Sequence, residues 1–163
     1  VTLRSAGRGK AIAAAAGAAL AVGAIGGTLT DISPWYLNLA MPSWKPPDWA
    51  FGPIWTAILS LAAAAGVISW RREPTPIGRR RILTLFALNG SFNVIWSLLF
   101  FKLQRPDLAL WEVGGLWLSI LLLILAFRRG APLASLLLTP YLIWVTIASA
   151  LNYQVVEMNA PFG

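Results

Sequence analysis

A chain of 163 residues has the length of one domain, yet 58% of its residues are hydrophobic and only 12% charged, with a mean hydropathy of +0.69, which excludes an ordinary soluble globular protein. The absence of His and Cys removes the usual metal ligands, a thiol nucleophile, an imidazole base and any disulfide framework. A net charge of +7 in so apolar a chain reads as a membrane-orientation signal rather than a nucleic-acid surface.

Five stretches are long enough to cross a hydrocarbon core about 30 Å thick. The first, residues 11–29, is Ala-rich and follows Arg4, Arg8 and Lys10. Basic residues ahead of small apolar ones also suit a secretory signal, but the run is longer than such a segment needs, and Gly23 and Gly27 form a G-x-x-x-G pair suited to close helix packing. Residues 30–48 form the longest connection. It ends in Pro42-Ser43-Trp44-Lys45-Pro46-Pro47-Asp48-Trp49, a rigid extended segment too proline-rich to be helical, and is expected to be a lid. The second stretch is 49–70, the third 82–101, the fourth 108–127 and the fifth 133–156; Glu112 is the one charged residue inside the five.

Hydrocarbon cannot satisfy stray backbone groups, so the expected fold is all-α, an integral membrane bundle of five transmembrane helices making one domain over residues 1–163. Short connections after the second helix predict that successive helices are neighbours. Arg4, Arg8, Lys10, Arg71, Arg72, Arg79, Arg80, Arg81, Arg128 and Arg129 fall on one side, against Lys45, Lys102 and Arg105 on the other; this places the N-terminus inside and the C-terminus outside.

Helix direction converts positions into depths. Trp55 lies roughly 9 Å below the outer end of the second helix, Asn93 and Trp96 roughly 12 and 8 Å down the third, and Trp144 roughly 18 Å down the fifth. Trp35, Trp70 and Trp111 suit an interfacial belt and Trp117 suits packing or lipid contact. Trp55, Trp96 and Trp144 sit too deep for a belt and would serve a large flat aromatic ligand. The Asn93 amide can donate and accept, which suits a ligand carbonyl or a helix cross-link. Glu112 lies a few residues into its helix, where it is expected to reach the interface, pair with a base or hold a helix contact. Pro140 frees a carbonyl beside Tyr141 and Trp144 and can bend the fifth helix.

Trp35-Tyr36-x-x-Leu39 followed by Pro42-x-Trp44-x-Pro46-Pro47-x-Trp49-x-Phe51-Gly52-Pro53-x-Trp55-Thr56 resembles the signature of the TspO/MBR family of tryptophan-rich sensory and translocator proteins. The likeness continues through Phe92-Asn93-x-x-Trp96-Ser97-x-x-Phe100-Phe101, Arg105-Pro106-x-Leu108-Ala109-Leu110, Pro140-Tyr141-Leu142-Ile143-Trp144-Val145 and Leu151-Asn152-Tyr153. The resemblance implies a five-helix bundle, commonly a homodimer, whose pocket takes tetrapyrroles such as protoporphyrin IX, synthetic isoquinolines and benzodiazepines, and sterol in some members. Carried over position by position, that pocket is lined by Tyr36, Trp44, Phe51, Trp55, Asn93, Trp96, Trp144, Ala148 and Leu151. Some bacterial members degrade protoporphyrin photochemically, and the resemblance then gives Trp55 and Trp144 catalytic roles, with porphyrin as substrate.

Two departures matter. Leu59 stands where many members have Tyr, and Tyr153 is followed by Gln154-Val155-Val156-Glu157-Met158 without the base a sterol motif needs, which argues against sterol binding there. With no His or Cys, a porphyrin would be held by shape and stacking, with no metal and no required cofactor. Membrane lipid is the other expected partner, and nucleic acid is not one. The leading expectation is a tetrapyrrole-binding sensor or handling protein; photo-oxidative degradation and transport are its rivals, though no internal repeat supports transport. Ala87, Gly90 and Ser91, with Gly23 and Gly27, permit the close approach a homodimer would use.

Overall fold

The computed structural model describes the backbone of residues 2–162 and the side chains of residues 9–162. Its helices are α1 (Thr2–Leu29), α2 (Pro34–Leu37), α3 (Asp48–Arg72), α4 (Pro76–Ser97), α5 (Pro106–Phe127) and α6 (Pro132–Asn159), and a π-helical turn, Leu98–Lys102, prolongs α4. No strand occurs among the described residues. The five long helices, α4 taken together with its π-helical turn, are each long and apolar enough to cross a membrane, and each contains one of the expected stretches. The side chains of Arg4 and Arg8, two of the expected orientation signals, lie outside the described residues.

Local chemistry explains where the helices begin. Pro34, Pro76, Pro106 and Pro132 each open a helix, because the missing N–H of proline would have no partner in the first turn and its φ is already helical. At the start of α4, Thr75 Oγ1 accepts a hydrogen bond from the Gly78 amide at 3.0 Å. Glu73 accepts from the Thr75 amide at 2.9 Å, and its hydrogen bonds from Thr75 hold its carboxyl below the usual range. The α6 helix runs unbroken through Pro140.

Around the bundle the order is α1, α3, α6, α5, α4 and back to α1. Successive helices are therefore not always neighbours, contrary to what the short connections suggest. Only three residues join α3 to α4, yet these two helices touch little, because α1 and α6 flank α3. The core lies between α3, α5 and α6, where Ala65, Ile120, Leu123, Ala134 and Leu138 are fully buried. α1 packs outside this core, and none of its described side chains is buried.

Two glycines serve the seat of α1. A Cβ on Gly23 would stand 3.2 Å from Leu59 of α3, and one on Gly90 of α4 would stand 3.2 Å from Val22. Leu59 thus faces α1. Gly23 and Gly90 are engaged within the chain, while Gly27, Ala87 and Ser91 remain exposed.

Helix polarity gives the bundle two unlike ends. Arg72, Glu73, Arg81, Gly130 and Ala131 meet at one, the basic end. The connection 30–47, the π-helical turn and the C-terminal end of α6 meet at the other, the lid end.

Candidate functional site

Near the lid end the aromatic side chains gather into two groups. In the first, Phe51 meets Trp144 edge to face with ring centroids 5.5 Å apart, and Trp55 meets Tyr141 in the same way at 5.9 Å. In the second, Trp96 stacks on Phe100 at 5.2 Å and meets Phe101 at 5.9 Å, while Tyr36 lies against Phe101 and Trp35 against Phe100. Trp96 packs against both groups and joins them.

The π-helical turn accounts for the second group. Adjacent residues of an α-helix point about 100° apart at 3.6 residues per turn. The wider turn at Leu98–Lys102, closed by the Leu103 amide donating to the Leu98 carbonyl at 2.9 Å, lets both Phe100 and Phe101 contact Trp96. The chain then stops on Gln104 in the left-handed region, with φ 54°, before Arg105 and Pro106 start α5. Arg105 grips Asp107 through two hydrogen bonds of 2.8 and 2.6 Å, which raises its guanidinium's already high pKa.

Polar groups in these spans find partners across helices. Asn93 donates to the Tyr141 hydroxyl at 3.2 Å, tying α4 to α6. The Trp96 indole donates to Asn152 Oδ1 at 3.1 Å, and Asn152 Nδ2 donates to the Pro106 carbonyl at 2.8 Å, so one buried amide holds α4, α5 and α6 together. Asn89 donates to Ser119 at 2.9 Å. Trp144 is 8% exposed, and its indole N–H is buried without a hydrogen-bond partner.

Asp48 and Trp49, expected in the non-helical segment, instead open α3 behind the extended Pro47, and the lid itself is not uniformly extended. It carries the short helix α2, whose Tyr36 is buried under the connection, and a turn in which the Lys45 amide donates to the Pro42 carbonyl at 3.0 Å. Tyr36 donates its hydroxyl to Asp48 Oδ1 at 3.0 Å, and Lys45 makes an ion pair with the same carboxylate. The Lys45 ammonium lies 5.7 Å from the centre of the Tyr36 ring. Burial, and then the hydrogen bond to Asp48, push the Tyr36 hydroxyl above the ordinary tyrosine range. A second clamp joins lid to bundle, where Asn159 exchanges two hydrogen bonds with the Ala40 backbone at 2.8 and 2.9 Å.

Of the residues expected from sequence, Phe51, Trp55, Asn93, Trp96 and Trp144 converge, and Tyr36 closes the group from the lid. Trp44 is 46% exposed, and Ala148 and Leu151 are half-buried on α6. Trp111 is almost fully exposed, in keeping with a belt position, and Trp70 packs under Arg79, whereas Trp35 is tucked against Phe100. Trp117 donates to Thr146 at 2.9 Å, a packing contact between α5 and α6.

For Glu112 two of the three expected roles fall away, leaving a helix contact. Both its carboxylate oxygens are buried with no hydrogen-bond partner, so it neither reaches water nor pairs with a base. The nearest base in sequence, Arg105, is held by Asp107, and two helical turns along α5 carry Glu112 inward. Sequence reasoning had not placed Asp48, Tyr141, Asn152 or Asn159 in the site. Their signal was available for the two inside the spans, since a polar group in a membrane helix has to meet another one.

Residues 15–158 match the TspO/MBR family. The chain is similar to the tryptophan-rich protein TspO of Chlorobaculum tepidum, 41% identical over 149 residues that cover 88% of this chain and 92% of the other. It is also similar to the tryptophan-rich sensory protein of Cereibacter sphaeroides, 34% identical with 82% of each chain covered. The Homo sapiens translocator protein is 30% identical, with 77% of this chain and 75% of the other covered.

Proposed function

The chain belongs to the TspO/MBR family, and from that premise we propose that this integral, multi-pass membrane protein binds a tetrapyrrole, protoporphyrin IX or a close relative, among the aromatic side chains beneath its lid. The observation that carries the reading is the unpartnered Trp144 indole N–H within the Phe51, Trp55 and Tyr141 group. A buried donor without an acceptor costs about 1–3 kcal/mol, and a ligand carboxylate or carbonyl reaching it would recover that cost. The neighbouring rings offer the faces and edges that a flat macrocycle packs on. Phe51 and Trp144 meet edge to face, so a macrocycle that reaches the Trp144 N–H parts the two rings. No required cofactor enters this account; the porphyrin is the ligand, and the lid supplies Tyr36 above it.

The proposal includes the orientation in which the basic end faces inside, the assignment favoured by the charge counts. It also includes a homodimer, for which the exposed small residues Gly27, Ala87 and Ser91 leave room.

The test is titration of the purified protein with protoporphyrin IX in the dark, read by tryptophan quenching, then illumination of the saturated complex. Saturable binding that a Trp55→Ala plus Trp144→Ala variant loses is the expected result. Binding unchanged in that variant would overturn the site. Porphyrin loss under light beyond that in empty detergent would add the photochemical reading, in which these two indoles act on the excited porphyrin.

A further inference from the structure

The gap between α3 and α4 at the basic end has two compartments that the porphyrin reading does not use. On the α1 side lies a crevice of about 510 Å³. Its walls are small and apolar, among them Ala15 and Ala18 of α1, Ala62 and Gly66 of α3 and Phe86 of α4, with Trp70 and Lys10 also lining it. The shape has a cause. Ala11, Ala14, Ala15, Ala18 and Ala19 all line the crevice, so the face that α1 turns toward α3 and α4 carries side chains too short to close the gap. The crevice opens on the face of the bundle, and water gains few hydrogen bonds between apolar walls, so apolar chains fill it.

On the α5 and α6 side of the same gap lies a smaller cavity of about 120 Å³, lined by Ser69, Arg72, Glu73 and Arg81. Ser69 is 2% exposed, and its hydroxyl is buried with no hydrogen-bond partner, an unmet donor in the wall of a compartment that Arg72 and Arg81 also line. Glu73 shares the wall, but one of its oxygens is taken by the Thr75 amide and hydroxyl. Ile82 borders both compartments, so they adjoin. Among the described lining residues, Lys10, Arg72 and Arg81 are basic and Glu73 alone is acidic.

We propose that the α3–α4 gap is a binding site for one anionic phospholipid of the leaflet at the basic end, its phosphate held by Ser69, Arg72 and Arg81 and an acyl chain lying in the crevice beneath α1. The apolar compartment fits a hydrocarbon chain and rejects a polar solute. The basic compartment fits a phosphate and discriminates against zwitterionic lipid, as basic pockets between membrane helices do. This occupant also completes the packing of α1, none of whose described side chains is buried.

The experiment uses the whole protein in nanodiscs of phosphatidylcholine doped with phosphatidylglycerol bearing a photoreactive acyl chain, with the cross-linked peptides mapped by mass spectrometry. Labelling is expected on the α1 and α3 walls of the crevice, several-fold stronger than with phosphatidylcholine bearing the same chain. Ser69→Ala with Arg81→Gln is expected to reduce phosphatidylglycerol labelling to the phosphatidylcholine level. Ala15→Phe, which fills the crevice, is expected to abolish labelling of both lipids there. Lys10→Gln is exposed and leaves the fold alone; it is expected to lower labelling about fivefold or less. Equal labelling by the two lipids would overturn the proposal, as would labelling unchanged in both the pocket and the crevice variants. Displacement of the lipid by inorganic phosphate alone would reduce the site to a free-anion pocket. Loss of labelling as protein density rises would assign the crevice to a second copy of this chain.

Discussion

Trp144 shows how a single atom separates stability from binding. Its indole N–H is buried and unmatched, so Trp144→Phe removes a liability from the free protein while keeping a ring against Phe51. The expected outcome is thermal stability equal to or above that of the parent, together with protoporphyrin affinity weaker by about five- to tenfold, the worth of one hydrogen bond. Tryptophan quenching and thermal unfolding in the same detergent check both halves. Tyr36 supplies a pH prediction. Its folded pKa is raised by burial and by Asp48, so its contribution to lid closure is complete below the ordinary tyrosine range and declines as pH rises through the raised value. Alkaline difference absorbance of the parent minus a Tyr36→Phe variant is expected to show no tyrosinate step near about pH 10. At this scale the sequence told much about the rings and little about their partners. The depths of Trp55, Trp96 and Trp144 followed from helical rise, whereas the pairing of Asn93 with Tyr141 and of Trp96 with Asn152 depends on which helices touch.

Among the elements, the end of α4 departs most from regular helix. Its π-helical turn and the left-handed Gln104 place Phe100 and Phe101 together under the lid. A β-branched residue tolerates that backbone poorly, so Gln104→Val is expected to cost about 1–2 kcal/mol of stability, while Gln104→Gly costs no such strain. Asn152 is a second element-level joint. Asn152→Leu strands both the Trp96 indole and the Pro106 carbonyl and is expected to destabilise the bundle by about 2–3 kcal/mol, read as an earlier thermal transition. The five spans were legible because apolar length alone defines them, and the lid because Pro42, Pro46 and Pro47 forbid helix there. The π-helical turn was not, since Leu98-Leu99-Phe100-Phe101 reads as ordinary apolar helix until the packing of its rings is known. Nor was α2, a single turn that Pro34 starts and whose Tyr36 the latch to Asp48 holds in place.

Across the whole molecule, unlike ends and an order that differs from chain order define the architecture. The chain contains no cysteine, so Ser43→Cys in the lid and Gly130→Cys in the α5–α6 turn, both exposed, become clean reporters of sidedness. With an impermeant maleimide on intact cells, labelling of Ser43→Cys alone is expected from the charge distribution; labelling of Gly130→Cys alone would reverse the orientation. The order of the ring could not be read from connection lengths, because a three-residue link between α3 and α4 is compatible with helices that splay apart once α1 and α6 flank α3.

That order has a consequence for how the protein is made. As helices leave the ribosome and enter the bilayer one by one, α3 can dock on α1 at once, but its other flank waits for α6, the last of the five to emerge. Until then Ala65 and its neighbours face lipid or insertion machinery instead of their final partners. A chain interrupted before Pro132 is therefore not a smaller working version of the bundle but an unclosed one, open along the seam that membrane quality-control proteases would meet.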